Sequence, residues 1–230
     1  MKALVVLSGG LDSTVCLAKA VGKHGAEQVM ALSVVYGQKH SKELECAGKV
    51  AEHYGVQHRI LDMTEIFKDS ECTLLSKTRG DIPVGSYEEQ QKGNGGHPVS
   101  TYVPFRNALF VSVAVSIALS NGCCEVYYGI HQDDSEHEAY PDCSVKFHES
   151  MSKAVYEGSG HQIMLVAPYV LSHKSDIVAD GLRMGVPFEL TWSCYKGGER
   201  PCGKCGTCID RRKAFEANGV EDPLEAMYEN

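Results

Sequence analysis

Long hydrophobic runs are missing from this 230-residue chain. The most apolar stretch, residues 108–119, is too short to cross a bilayer and carries Ser112 and Ser116. A membrane span is therefore not expected. Basic charge is also scarce. Lys and Arg number 22 against 30 Asp and Glu, a net charge of −8, whereas nucleic-acid binders present a basic surface. Small molecules are the expected partners, and nucleic acid is not. No secretory leader is evident: only residues 3–7 are apolar before Asp12, shorter than a signal h-region and without a cleavage site. The expected compartment is the reducing cytoplasm. Repeats and low-complexity segments are absent as well. What remains, 43% hydrophobic and 23% charged, is an ordinary globular composition of a length for one domain with at most a small appendage. The one excess is cysteine, at 10 residues. Secreted disulfide scaffolds are much shorter, and in a reducing compartment clustered cysteines point to metal or catalysis.

Periodicity predicts an α/β fold. Residues 4–7 form a continuous apolar run that reads as a buried strand. Ser8-Gly9-Gly10 breaks it, and a helical pattern follows with Val15, Leu17, Ala18 and Val21 on one face. A strand over 29–35, a helix over 41–54 and a strand over 56–61 come next. Strand–helix alternation with short connections argues a parallel sheet. Residues 63–103 interrupt the rhythm; so long an excursion, with Gly93-Asn94-Gly95-Gly96 inside it, predicts a lid, a binding loop or disorder. A helix over 105–120, a strand over 125–130, a helix over 144–156, a strand over 163–167 and a helix over 174–184 follow. From Thr191 to Cys208 the periodicity stops. The division expected is an α/β domain over 1–190 with a metal-binding segment over 191–230 packed on it.

Ser8-Gly9-Gly10-Leu11-Asp12-Ser13 lies between the first strand and the first helix, where α/β sheets bind ligands. Two glycines let the backbone approach an anion, the helix N-terminus supplies free N–H groups, and Ser8, Ser13 and Thr14 add hydroxyls. Asp12 repels an anion, so it makes sense as a holder of a Mg²⁺ shared with phosphates. The alternative is a plain tight turn with Asp12 or Ser13 as N-cap. Neither the Walker A nor the G-x-G-x-x-G pattern is present.

Cys194, Cys202, Cys205 and Cys208 fall within fifteen residues, spaced C-x₇-C-x₂-C-x₂-C with Gly197, Gly198, Gly203 and Gly206 between. Four thiolates with no open position describe a closed structural zinc site. An iron–sulfur cluster is the rival, although the C-x₃-C-P continuation is missing. Unliganded cysteines are the third reading.

Other residues sit where ligands are expected. Arg106 and Asn107 open an apolar helix, where a cation opposes the helix dipole unless an anion is near. His131, Asp133 and Asp134 leave the fourth strand on the ligand edge; the aspartates could hold Mg²⁺ or a base's amino groups, or could be solvated turn residues. Asp142, after Pro141, suits an N-cap of the next helix. Lys174, near a helix start, is a further phosphate contact. Of the six remaining cysteines, only Cys143 sits where chemistry could use it; Cys16, Cys46, Cys72, Cys123 and Cys124 read as small packing residues.

Ser8 to Ser13 resembles the SGGxDS signature of the PP-loop ATP pyrophosphatases. With Tyr36-Gly37-Gln38, Val103-Pro104-Phe105-Arg106-Asn107, Tyr140-Pro141-Asp142-Cys143, Thr191-Trp192-Ser193-Cys194-Tyr195 and the closing Cys-Gly-Lys-Cys-Gly-Thr-Cys, nearly the whole chain resembles the QueC family of 7-cyano-7-deazaguanine synthases. The resemblance implies a Rossmann-like PP-loop fold and an ATP-dependent ligase acting on 7-carboxy-7-deazaguanine and ammonia. The carboxylate would be adenylated, ammonia would displace AMP, and a second adenylation of the amide would lead to the nitrile. ATP would be held by Leu7, Ser8, Gly9, Gly10, Leu11, Asp12, Ser13, Thr14, Val15, Cys16 and Leu17, with Mg²⁺, and zinc by the four clustered cysteines. Catalytic roles are expected for Asp12, Arg106 and Asp133, and substrate contacts for Asn107, His131, Asp142 and Lys174. A homodimer is implied. The charged segment Ser135-Glu136-His137-Glu138-Ala139 departs from the family's shorter one. Two rival functions are a PP-loop tRNA thiolase using Cys143 and a nucleotide-binding regulator with a zinc dimerisation knuckle.

Overall fold

The computed structural model describes residues 1–92, 97–135 and 139–228. The run Gly93-Asn94-Gly95-Gly96 and the residues Glu136, His137 and Glu138 of the charged segment lie outside the described residues.

A parallel sheet organises the chain, in the order β3-β2-β1-β4-β5. Its members are β1 (Ala3–Val6), β2 (Val29–Val35), β3 (Gln57–Asp62), β4 (Glu125–Tyr127) and β5 (Met164–Val166). Central β1 pairs Val5 with Ala31 of β2 and with Tyr127 of β4. Both faces of β1 are covered, which explains its unbroken apolar run. On one face Ala3 and Val5 pack with α1 (Leu11–His24), α2 (Lys42–Tyr54), α7 (Lys174–Met184) and α8 (Gly206–Glu216). On the other, Leu4 packs with α4 (Arg106–Ser120) and α6 (Val145–Gly158). A single helical turn, α5 (Gln132–Ser135), follows β4 at the ligand edge of the sheet. The parallel α/β expectation is met. No helix among the described residues is long and apolar enough to cross a membrane.

Four differences from the sequence reading have physical causes. The fourth strand ends at Tyr127 rather than at 130, because the chain there turns under the start of α1; a Cβ on Gly129 would come within 3.0 Å of the Asp12 and Ser13 backbone. Residues 63–103 are not a bare loop. They contain a 3₁₀ turn at Thr64–Phe67 and a short helix, α3 (Tyr87–Lys92), and they bury Phe67, Leu75, Val99 and Val103 in the α4-side core. Asp142 does not cap α6. Ser144 does, accepting from Phe147 N at 3.1 Å, while Asp142 Oδ2 accepts from Asn107 N at 2.8 Å and so caps α4. The final difference is α8, which begins inside the stretch read as irregular.

Helix α8 has a weak apolar stripe because its inward side carries a charge. Arg211 is 1% exposed. It donates to both Asp222 oxygens at 2.8 and 2.9 Å, to Thr191 Oγ1 at 2.7 Å and to the Phe188 carbonyl at 3.1 Å. Tyr228 OH also donates to Asp222 at 2.9 Å. These bonds fasten the C-terminal segment to the α/β layer. A buried pair of this kind is costly to break from one side, since the survivor is left as an uncompensated charge. Asp222→Ala is expected to lower stability by about 3–5 kcal/mol in chemical denaturation; a loss below about 1 kcal/mol would contradict the fastening role.

Candidate active site

The site forms where the C-terminal ends of β1, β2 and β4 meet the N-terminus of α1, the crevice expected for such sheets. Ser8 N donates to Ser13 Oγ at 3.2 Å, and the two seryl oxygens lie 3.0 Å apart. Thr14 Oγ1 donates to the Gly10 carbonyl at 2.8 Å. Helix α1 begins at Leu11, and no side chain caps it. Neither Asp12 nor Ser13 is an N-cap, so the first-turn amides are left to a ligand. Gly9 holds φ at +88°, and a Cβ there would collide with the Glu43 carbonyl and lie 2.6 Å from Ala47 N. The first turn of α2 therefore rests directly on the loop, which only glycine allows.

Asp12 belongs to a buried charge cluster. Lys174 Nζ lies 3.3 Å from Asp12 Oδ2 and 3.4 Å from His131 Nε2. His131 Nε2 lies 3.4 Å from Asp134 and 3.8 Å from Asp12 Oδ1, which has no hydrogen-bond partner among the described residues. Burial pushes the Asp12 carboxyl up, but Lys174 and His131 more than offset this and hold it below the ordinary aspartate value. Burial likewise disfavours the Lys174 cation, and the surrounding Asp12, Asp134 and Asp210 reverse the effect, so Lys174 stays charged. Asp133 turns away from the cavity. It accepts from Lys174 N at 2.7 Å and from His173 Nδ1 at 2.5 Å, holding the start of α7. Asp134, which has no catalytic role in the expectations above, lines the cavity instead.

The opposite wall carries Tyr36, Glu43, Arg106, Asn107, Tyr128 and Tyr195. Arg106 lies over the Tyr36 and Phe110 rings at 5.4 and 5.9 Å, and its Nη1 donates to Tyr36 OH at 3.3 Å. Asn107 spends its side-chain amide on the Asp142 carbonyl and Cys143 Sγ, both at 3.2 Å. Burial and the nearby Asp134 and Asp142 carboxylates push the Cys143 thiol up, so it stays protonated. Burial also pushes Glu43 up to about 7, against Arg106, which lowers it, with Cys194 adding to the rise. Sequence reasoning passed over Glu43. The usable signal was its position in the first turn of the helix after the second strand, on the ligand edge of the sheet.

A tyrosine network borders the cavity, to whose lining it contributes Tyr87 and Tyr195. Tyr195 OH lies 2.9 Å from Tyr87 OH and 3.2 Å from Tyr140 OH, and Tyr140 OH lies 2.6 Å from Thr101 Oγ1. Tyr87 sits on Gly206 at the start of α8, where a Cβ would come within 2.8 Å of its ring. Burial raises all three phenols, Tyr140 to about 12, so they act as hydroxyls. Tyr87 and Thr101 come from the 63–103 excursion, so that segment is tied across the site.

Beside the cavity, Cys194, Cys202, Cys205 and Cys208 are all buried, and their sulfurs lie within 4.8 Å of one another. The neighbouring Cys205 and Cys208 thiols, with the Cys202 N–H 3.3 Å from its sulfur, hold Cys194 below the ordinary thiol range. The quartet could bind a metal. Thiolates placed about 2.3 Å from one tetrahedral ion stand about 3.8 Å apart, which this spread accommodates.

These features match a known family. A family model described as "Queuosine biosynthesis protein QueC" matches residues 2–219. The chain belongs to the QueC family. A 7-cyano-7-deazaguanine synthase of Caldicellulosiruptor saccharolyticus is 43% identical over 229 residues, covering 100% of this chain and 97% of that protein. One from Archaeoglobus fulgidus is 42% identical, covering 97% of this chain and 90% of its own. Among solved structures, NMN synthetase from Francisella tularensis superposes with a TM-score of 0.51 at 16% identity, covering 96% of this chain and 78% of that one. A U34-tRNA thiolase, NcsA from Methanococcus maripaludis with its [4Fe-4S] cluster, superposes with a TM-score of 0.50 at 15% identity over 81% of this chain and 58% of that one. At these identities the structural neighbours share the fold alone.

Gly9→Ala is expected to cost about 1–3 kcal/mol of stability from backbone strain and to weaken ATP binding at least tenfold by calorimetry. Unchanged ATP affinity would show that the approach of α2 to the loop is not required for the nucleotide.

Proposed function

We propose that the chain is an ATP-dependent ligase converting 7-carboxy-7-deazaguanine and ammonia to 7-cyano-7-deazaguanine, with release of AMP and diphosphate, in queuosine biosynthesis. Family membership supports the reaction. The observation that carries it to this site is one cavity joining the Ser8–Ser13 loop and Lys174 to a second compartment walled by Arg106, Tyr36 and Tyr195. The two halves suit a nucleotide and the group it activates.

In this reading the segment from Leu7 to Leu17 holds ATP, with the free amides at the start of α1 and the Ser8, Ser13 and Thr14 hydroxyls taking the β,γ-phosphates. Lys174, kept charged by Asp12, adds a cation. The buried, unpartnered Asp12 Oδ1 fits a Mg²⁺ carried with ATP, which would neutralise phosphate charge there. Arg106 orients the substrate carboxylate toward the α-phosphorus; its aromatic surroundings strengthen that attraction by excluding water. His131, Asp133 and Asp142 support the cations: Asp142, with Asn107 on the cavity wall, places Arg106 on α4, and His131 and Asp133 place Lys174 on α7. An acyl adenylate is open to water as well as ammonia, so the site must be dry. The Tyr87–Tyr195–Tyr140 network over the cavity supplies that cover.

For the quartet we propose zinc in a structural role, since four buried thiolates leave no open position. Ten free cysteines, nine of them buried, suit a cytoplasmic protein, and the assembly we propose is a homodimer. The thiolase alternative needs a reactive thiolate; Cys143 lies off the cavity and is held as a thiol.

One experiment tests both parts. Purified protein incubated with ATP, ammonium and 7-carboxy-7-deazaguanine is expected to give AMP and a product with the mass of the nitrile, with about one zinc per chain by elemental analysis. Absence of both products would overturn the ligase reading, and iron in place of zinc would overturn the metal assignment.

A further inference from the structure

Ammonia exists in neutral water almost wholly as ammonium, which has no lone pair to attack with. The cavity must therefore accept protons as the C–N bond forms. Three carboxylates line it: Asp12, Asp134 and Glu43. Asp12 is ion-paired to Lys174 at 3.3 Å and sits in the phosphate loop. Asp134 faces His131 at 3.4 Å. Both lie on the nucleotide side of the cavity. Glu43 lies on the other wall and takes no hydrogen bond or ion pair from the described residues. Its backbone is fixed: its carbonyl abuts Gly9, which sets where the first turn of α2 presents the side chain to the cavity.

We propose that Glu43 is the proton acceptor for the attacking ammonia. The proposal rests on the ligase reading above. As the nitrogen attacks the acyl adenylate, the N–C bond forms and the C–O bond to phosphate breaks. Ammonium first gives one proton to the Glu43 carboxylate, which passes it to water and so frees the lone pair; AMP leaves with the C–O electron pair as the N–C bond forms, and a second N–H proton follows the same route through Glu43. The same carboxylate is placed to take the N–H protons lost when the adenylated amide becomes a nitrile. Its surroundings suit the task. Arg106 from α4 faces it as a cation, Tyr36 and Tyr195 line the same cavity as neutral hydroxyls, Cys194 adds negative charge from the cysteine segment, and Asp12 and Lys174 offset one another across the loop. Burial places its titration at about 7, where a base is both ionised and able to hold a proton.

The test separates adenylation from amination in the full-length protein. Carboxylate-dependent exchange of labelled diphosphate into ATP reports the first step without ammonia. Mass spectrometry reports the amide and the nitrile. For Glu43→Gln, amination is expected to fall about 10²–10³-fold while exchange falls far less, and the acidic limb near pH 7 in the wild-type amination profile should disappear. Glu43→Asp should restore part of the rate and keep a limb. Amination by Glu43→Gln within about threefold of wild type would overturn the proposal. So would a parallel loss of exchange and amination, since that marks a nucleotide- or substrate-binding role. Wild-type protein lacking exchange would instead bring down the ligase reading itself, and the proposal with it.

Discussion

The backbone of Gly9 is the joint on which the site depends. Its Cα touches the first turn of α2, its positive φ aims the loop at the cavity, and its carbonyl accepts the Trp192 N–H at 2.9 Å. Three pieces of chain far apart in sequence thus meet at one residue without a side chain. The consequence is geometric. The Ser8–Ser13 loop, the helix carrying Glu43 and the segment carrying Tyr195 cannot shift independently, so the parts of the cavity they line keep a fixed separation. For the reaction proposed above, which brings an α-phosphorus to a carboxylate and then to an amide, fixed separation is worth more than added contacts.

Charge is arranged around that joint with a division of labour. The loop side is dense in compensated charge: Asp12, Lys174, His131 and Asp134 lie within a few ångströms of one another, and the opposite charges around them keep Asp12 and Lys174 ionised. The other wall is aromatic and sparse, with one cation and one carboxylate among Tyr36, Phe110, Tyr128 and Tyr195. A polyphosphate needs the first environment, because its negative charge must be met by cations and amides already in place. A flat heteroaromatic acid and a small amine suit the second, because rings stack on rings and few dipoles compete for the reacting atoms.

Much of this was legible in the sequence. The apolar run over residues 4–7, the Ser8–Ser13 loop and the four clustered cysteines carry local signals, and each stands in the structure where its pattern places it. The misses share a cause. Asp142 looks like a cap for the helix beside it, yet it caps α4, thirty-five residues earlier. Asp133 and Asp134 are indistinguishable in sequence, and only the approach of α7 decides that one caps a helix and the other faces the cavity. Helix α8 is hidden because its buried side is Arg211, whose partner Asp222 lies beyond the helix. Glu43 reads as one more surface carboxylate until α2 is laid against Gly9. In every case the deciding contact is long-range, and periodicity carries no such information.

The cysteine quartet looks remote from the chemistry, but its neighbours in sequence are not. Trp192, Ser193 and Tyr195 all line the cavity, and they flank Cys194. Trp192 bonds Gly9 through its amide and the Cys194 carbonyl through its indole N–H at 2.9 Å. Tyr195 holds both Tyr87 and Tyr140. The segment between Thr191 and α8 has no regular secondary structure of its own, so something must fix these side chains. A metal joining Cys194 to Cys202, Cys205 and Cys208 would do so by tying the loop to the first turn of α8, which Arg211 in turn anchors to the core. With a metal bound, the order of the Tyr195 network would follow from the order of the cysteine site, although none of the four cysteines lines the cavity.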